Sequence, residues 1–237
     1  MRKSIKNDLS RPANWRGQIK GLLKKRADAE LEVPIGLLDC VYERVPLQQE
    51  IVMDINEALS ETDPQARQRK KSEAKKKLAQ FHRMNGAGHS TPTWIRPTMD
   101  FCFNNLLGDR ALAEARGLQA LEAAKAPWQL AISNANLCQL FRRTNRHVQA
   151  IEYGCRAVEL DPRNDGFWAD LTLALLDGGE SRAAREILNK VSRMTDLHSR
   201  KSIWRAHLIG YKDDFIRFSD LPEIRQLYDI ISNRIKD

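Results

Sequence analysis

Apolar residues recur at helical spacing along most of the chain, and this pattern predicts an all-α protein. The first apolar stripe falls within residues 15–31, and further stripes follow to about residue 59. Asp63-Pro64 then predicts the start of a long helix, and Asn85-Gly86 predicts its end. After a linker near residues 86–93, the pattern changes to shorter helices that come in pairs.

Residues 131–196 consist of two similar copies of a helical hairpin. Seven positions of the first copy match positions 34 residues later. These pairs are Asn134 and Trp168, Leu137 and Leu171, Cys138 and Thr172, Phe141 and Leu175, Ala150 and Ala184, Ala157 and Val191, and Pro162 and Asp196. Ala113, Gly117 and Ala120 repeat the spacing of the second helix at a distance of 37 residues, which indicates an earlier, degenerate copy.

The hairpin pattern resembles the tetratricopeptide repeat, in which W-x2-L-G-x2-Y is followed by A-x3-F and a closing proline. Residues 150–162 carry the most specific match, and the resemblance covers about residues 94–212. Asn134 and Asp196 depart from the expected tryptophan and proline. The resemblance implies a right-handed stack of helical hairpins that share one continuous core.

The expected architecture is therefore a helical-hairpin repeat solenoid preceded by a helical region. We assign residues 1–92 to an N-terminal basic and acidic helical region and residues 93–237 to the solenoid. A helix at residues 221–235, apolar on one face and charged on the other, is expected to cap the stack. Small residues at Ala150, Ala157 and Ala184 are expected to lie buried where helices approach closely.

The same resemblance implies a non-enzymatic scaffold or adaptor that binds another protein in a concave groove. Two adjacent arginines in this surface favour a peptide or helix with acidic and apolar residues, and a larger assembly is expected. The groove residues implied by the alignment are Ile132, Asn136, Gln139, Arg142, Arg143, Asp170 and Leu173. We expect neither arginine to be needed for the stack.

The long helix that begins after Asp63 is strongly basic and permits two interpretations. In the first, the helix packs on the acidic segment before it and its lysines are solvated. In the second, its charged side chains contact nucleic-acid phosphates. The residues concerned are Arg67, Arg69, Lys70, Lys71, Lys75, Lys76 and Lys77. A nucleic-acid-associated factor is thus the alternative to the adaptor.

A third interpretation is a helical ribonuclease, because Arg142 and His147 match a loose R-x4-6-H pattern. These two residues fall at a turn between helices, where polar side chains are expected in any case. The cysteines form no C-x-x-C pair and the histidines show no metal-ligand spacing. We therefore expect no enzyme activity, no metal and no cofactor.

Charge alternates strongly over the first part of the chain. The net charge of +8 divides into +8 for residues 1–26, −9 for 27–66, +8 for 67–96 and +1 for the remainder. No apolar run approaches the roughly 18 residues that a membrane helix needs, and the N-terminus does not resemble a secretory signal. A cytoplasmic protein that does not enter membranes is expected, with a basic mitochondrial address as the second interpretation.

Overall fold

The described part of the structure, a computed structural model, is helical throughout apart from turns. It covers residues 15–24, 50–51, 54, 57–58, 61–86, 94–193 and 211–236. Within these residues there are ten helices and no strand, which confirms the all-α prediction. The helices are α1 (Trp15–Lys24), α2 (Pro64–Gly86), α3 (Ile95–Leu107), α4 (Arg110–Ala123), α5 (Pro127–Arg143), α6 (His147–Leu160), α7 (Asp165–Asp177), α8 (Ser181–Val191), α9 (Lys212–Arg217) and α10 (Pro222–Lys236).

Each helix from α2 to α7 packs against the next one in sequence. The short turns make α3–α4, α5–α6 and α7–α8 three helical hairpins, and α5 also contacts α7 directly. The second and third hairpins therefore contact each other through more than the helices adjacent in sequence.

The turns inside the three hairpins share one backbone conformation. Gly108, Asn145 and Gly179 have positive φ angles of 85°, 58° and 76°. Each donates its amide to the carbonyl three residues back, and the following amide bonds to the carbonyl five residues back. This is the hydrogen-bond pattern that ends a helix through a left-handed residue. The three residues are 37 and 34 positions apart, as the sequence spacing predicts.

The predicted register is confirmed by burial. Ala150, Ala157 and Ala184 have no exposed surface. Gly154 is equally crowded, because a Cβ atom there would lie 3.2 Å from Cys138 Sγ and 3.3 Å from Leu171 Cα. Small residues thus stand where two helices approach most closely.

The two N-terminal helices pack on the hairpins at separate places. Trp15, Ile19 and Leu22 of α1 are buried, and α1 contacts α6 and α8. The predicted apolar stripe of α2 is buried in a cluster that includes Trp94 and Met99 of α3. The boundary near residue 92 stays a prediction, since most of the linker at 86–93 lies outside the described residues.

Several helix ends agree with the sequence signals. Helix α2 runs from Pro64 to Gly86 as predicted, and α10 begins at Pro222. Helix α8 begins at Ser181, and Glu180 is its N-cap residue.

Candidate partner-binding surface

Arg142 does not lie on a groove surface, so this expectation is wrong. Its side chain is 6% exposed, and it donates from Nε to Asp177 Oδ2 at 2.8 Å and from a terminal nitrogen to Asp214 Oδ1 at 2.8 Å. Burial lowers the pKa of Arg142, but the two carboxylates outweigh it and raise that pKa above its ordinary value. Arg142 follows the buried Cys138 by one helical turn, so it belongs to the inward stripe of α5.

Asp170 and Leu173 are also buried, which contradicts their assignment to an open groove. Leu173 has no exposed surface, and Asp170 accepts hydrogen bonds from Tyr211 Oη at 2.7 Å and Gln139 Nε2 at 3.1 Å. Burial raises the pKa of Asp170 to about 6, against the opposing effect of these two bonds. Helix α7 is hydrophobic on all sides and is a core helix.

The remaining predicted groove residues form a stripe on α5. Ile132, Asn136 and Gln139 are half-buried, while Arg143 is exposed. Arg143 makes no ion pair with any residue that the structure describes. Burial of part of the side chain and the neighbouring cations Arg110 and Arg142 lower the pKa of Arg143. Asp214 and Asp170 act in the opposite direction, but neither bonds to Arg143. Arg143 is therefore left without a directly paired carboxylate among the described residues.

Arg110 is the second cation of this surface, and sequence reasoning missed it. It opens α4 directly after the Gly108 turn and donates to the backbone carbonyl of Asn105 at 2.9 Å and to the amide oxygen of the same residue. Both acceptors are neutral, so they do not compensate its charge. The 37-residue spacing was the available signal, since it aligns the Gly108 turn with the Asn145 turn beside Arg143. We call Arg110 and Arg143 the arginine pair.

The residues of the basic helix α2 that were predicted to bind nucleic acid lie on different sides of the helix. Lys70 pairs with Glu61 at 3.1 Å and Glu57 at 3.7 Å, and Lys77 pairs with Asp54 at 2.9 Å and Glu50 at 3.4 Å. The hydrogen bond with Asp54 is the main cause of the raised pKa of Lys77. The interpretation in which α2 lies against the acidic segment thus describes these two lysines.

The other predicted cations of α2 behave differently from Lys70 and Lys77. Arg67 donates to the backbone carbonyl of Glu61 at 2.9 Å. Arg69 and Lys75 are exposed and Lys71 is half-buried, and none of the three bonds an acid in the described part of the chain. Lys76 is exposed and reaches only Glu73, at 3.6 Å.

Arg142 and His147, the two residues of the ribonuclease-like pattern, contact different parts of the protein. Arg142 is held by Asp177 and Asp214, whereas His147 lines a cavity of about 370 Å³ beside Trp15 of α1. Among the described residues, no group of three or more histidine, cysteine or acidic side chains is arranged to hold a metal ion.

No protein-family model, curated protein or solved structure matches this chain. None of the described helices combines the length and apolar content that crossing a lipid bilayer requires.

Proposed function

We propose that this protein is a non-enzymatic adaptor of the tetratricopeptide-repeat type that binds an acidic segment of another protein at the arginine pair. It would act in the cytoplasm as one component of a larger assembly. The binding surface would run along the partly exposed stripe of α5, from Ile132 to Arg143, and continue to Arg110 at the first hairpin turn.

Support for the repeat type comes from the three hairpins. Their turns share a left-handed residue and the same two backbone hydrogen bonds at spacings of 37 and 34 residues. Six of the seven aligned residue pairs are buried at both members, from Asn134 and Trp168 to Ala157 and Val191. A stack of such units offers a long surface whose side chains are free to bind a partner.

The observation that carries the acidic partner is that Arg143 is exposed and has no directly bonded carboxylate among the described residues. The adjacent Arg142 is bonded to two carboxylates, whereas the neighbouring cations Arg110 and Arg142 lower the pKa of Arg143. Placing two guanidinium groups together is unfavourable unless an anion lies between them. A carboxylate accepts two parallel hydrogen bonds from arginine, which gives both binding energy and orientation.

The proposal is tested by quantitative partner capture with the intact protein. Arg143→Glu and Arg110→Glu should each remove the same partner from the captured set, because they place a negative charge where the partner's carboxylate would lie. Arg182→Glu is the matched control, since the Arg182 side chain is 94% exposed on α8 and pairs only with Glu186.

The partner-capture result is interpreted only for variants that are shown to fold. All three variants should keep the helical circular dichroism and melting temperature of the parent, because their side chains are not buried. Unchanged capture by both Arg143→Glu and Arg110→Glu, with the fold intact, would exclude the arginine pair as the binding surface.

A further inference from the structure

Helix α2 presents a long cationic face that the described acidic residues before it do not cover. The helix has 23 residues and is about 34 Å long. Ala74, Leu78 and Phe81 are buried on its inner side, and Lys70 and Lys77 reach the acidic residues along one flank. The described residues of the acidic segment therefore neutralise one edge of α2 only.

The cations on the outer face stand at regular intervals. Arg69, Lys76 and Arg83 are seven residues apart, so they follow one another along nearly the same line of the helix. Lys75 lies about 100° around the helix from Lys76, on the flank away from Lys70 and Lys77. All four side chains are exposed. The only described ion pair among them is the exposed contact of Lys76 with Glu73, which is worth little in water.

The neutral residues between these cations decide which partner fits. They are Gln65, Gln68, Ser72, Ala79 and Gln80, all exposed. A protein interface normally relies on aromatic or large aliphatic side chains near its centre, and from Gln65 to Arg83 this face offers no apolar side chain larger than alanine. A lipid-inserting helix needs an apolar face as well. A hydrated, regularly charged backbone needs only cations and hydrogen-bond donors.

We infer that the outer face of α2 binds the phosphate backbone of a nucleic acid, without reading its sequence. This surface lies apart from the arginine pair and goes beyond the adaptor function. Contacts to phosphates position a protein on a nucleic acid but carry no sequence information. Four phosphate contacts by Arg69, Lys75, Lys76 and Arg83 would make the logarithm of the binding constant fall with the logarithm of the salt concentration with a slope of about −3 to −4 on duplex DNA.

The test is a salt titration of the intact protein against a fluorescently labelled DNA duplex of random sequence. Lys75→Gln/Lys76→Gln should weaken binding about tenfold or more at low salt and make the slope shallower by about 2, since two phosphate contacts are lost. Lys70→Gln/Lys77→Gln is the matched control, because it removes the same two charges from the same helix on the side facing the acids. Its slope should equal that of the parent.

Three outcomes would overturn the inference. The first is no binding to the duplex at low salt. The second is an equal decrease of the salt-dependence slope in Lys75→Gln/Lys76→Gln and in Lys70→Gln/Lys77→Gln. That result would mean that the net charge of the protein alone governs binding. The third is displacement of the duplex by polyglutamate at the same charge concentration, which would assign the face to an acidic protein. Retained helical circular dichroism in both variants keeps a loss of binding separate from a loss of fold.

Discussion

Helices α2 and α7 show the two opposite ways in which this protein uses charged residues. Helix α7 is enclosed by its neighbours, and its charged residues Asp170 and Asp177 are satisfied by Tyr211, Gln139 and Arg142. Helix α2 buries only a narrow apolar strip and exposes most of its cations to solvent. The charged residues of α7 hold the hairpins together, whereas most charged residues of α2 face solvent and are available for binding.

The difference matters because a charged residue affects stability differently when it is buried and when it is exposed. A buried ion pair leaves an uncompensated charge when one partner is removed, and this is strongly destabilising. An exposed charge contributes little to stability, so its removal is felt only in binding. Arg142 and Arg143 show this contrast at adjacent positions of one helix.

The largest expected effect follows from Arg142→Met. This change removes the buried counter-charge of Asp177 and Asp214 and leaves them only the half-exposed Arg217, so it should lower the free energy of unfolding by about 3 kcal/mol. Arg143→Met is the adjacent control and should change the free energy of unfolding by less than about 0.5 kcal/mol. Urea unfolding of both variants measures the difference, and equal losses would contradict the assignment of Arg142 to the core.

Asp170→Asn should change how stability depends on pH. The folded-state pKa of Asp170 is raised to about 6, above the value of about 3.9 in an unfolded chain, so the folded state binds the extra proton between these values. The stability contributed by this proton is present below about pH 4 and is lost as the pH rises through 6. The parent should therefore lose up to about 3 kcal/mol more than Asp170→Asn over this range.

Melting curves of the two proteins between pH 4 and pH 7 measure that difference. The asparagine oxygen still accepts a hydrogen bond from Tyr211, and Gln139 can turn its amide so that its oxygen accepts from the new NH2 group. The main difference between the two proteins is then the titratable charge. Parallel pH profiles for the parent and Asp170→Asn would mean that the Asp170 carboxyl is not held in its protonated form by burial.

Replacing a buried alanine at a helix–helix contact should overpack the hairpins. Ala150→Leu, Ala157→Leu and Ala184→Leu should each cost about 1–3 kcal/mol, because all three sites have no exposed surface. Ala111→Leu is the control, since it lies on the exposed side of α4. Unchanged thermal melting of the three buried variants would show that the register is misplaced.

The smallest expected effects concern the hairpin turns. No atom lies within 4 Å of a Cβ built at Gly108 or Gly179, so alanine there is penalised only by the left-handed backbone. Gly108→Ala and Gly179→Ala should each cost about 1–2 kcal/mol. Asn145→Gly should act in the opposite direction and stabilise by up to about 1 kcal/mol. The same sign for all three in thermal melting would contradict the equivalence of the turns.

Much of the hairpin region could be predicted from the sequence, because the 34-residue spacing is a local and repeated signal. It predicted the buried alanines, and the 37-residue offset predicted the earlier copy that begins with α3. The direction of each polar side chain was harder. Arg142 and Arg143 look alike at a helix end, although the step of four residues from Cys138 to Arg142 was a usable signal for burial.

Contacts between residues far apart in the sequence could not be predicted. Asp214 is 72 residues from Arg142, and Tyr211 is 41 residues from Asp170, yet both decide whether those side chains are buried. The position of α1 on α6 and α8 has the same origin. An apolar stripe predicts that a helix is covered, but it does not indicate which surface covers it.

The most direct test of whether buried charges hold the hairpins together is a double-mutant cycle on Arg142 and Asp177. These two residues join the second hairpin to the third. The free energies of unfolding of Arg142→Met, Asp177→Asn and the double variant are measured against the parent in urea. A coupling energy of about 1–3 kcal/mol is expected for a buried, hydrogen-bonded pair. Effects that add to within about 0.5 kcal/mol would contradict the claim that buried charges hold the hairpins together.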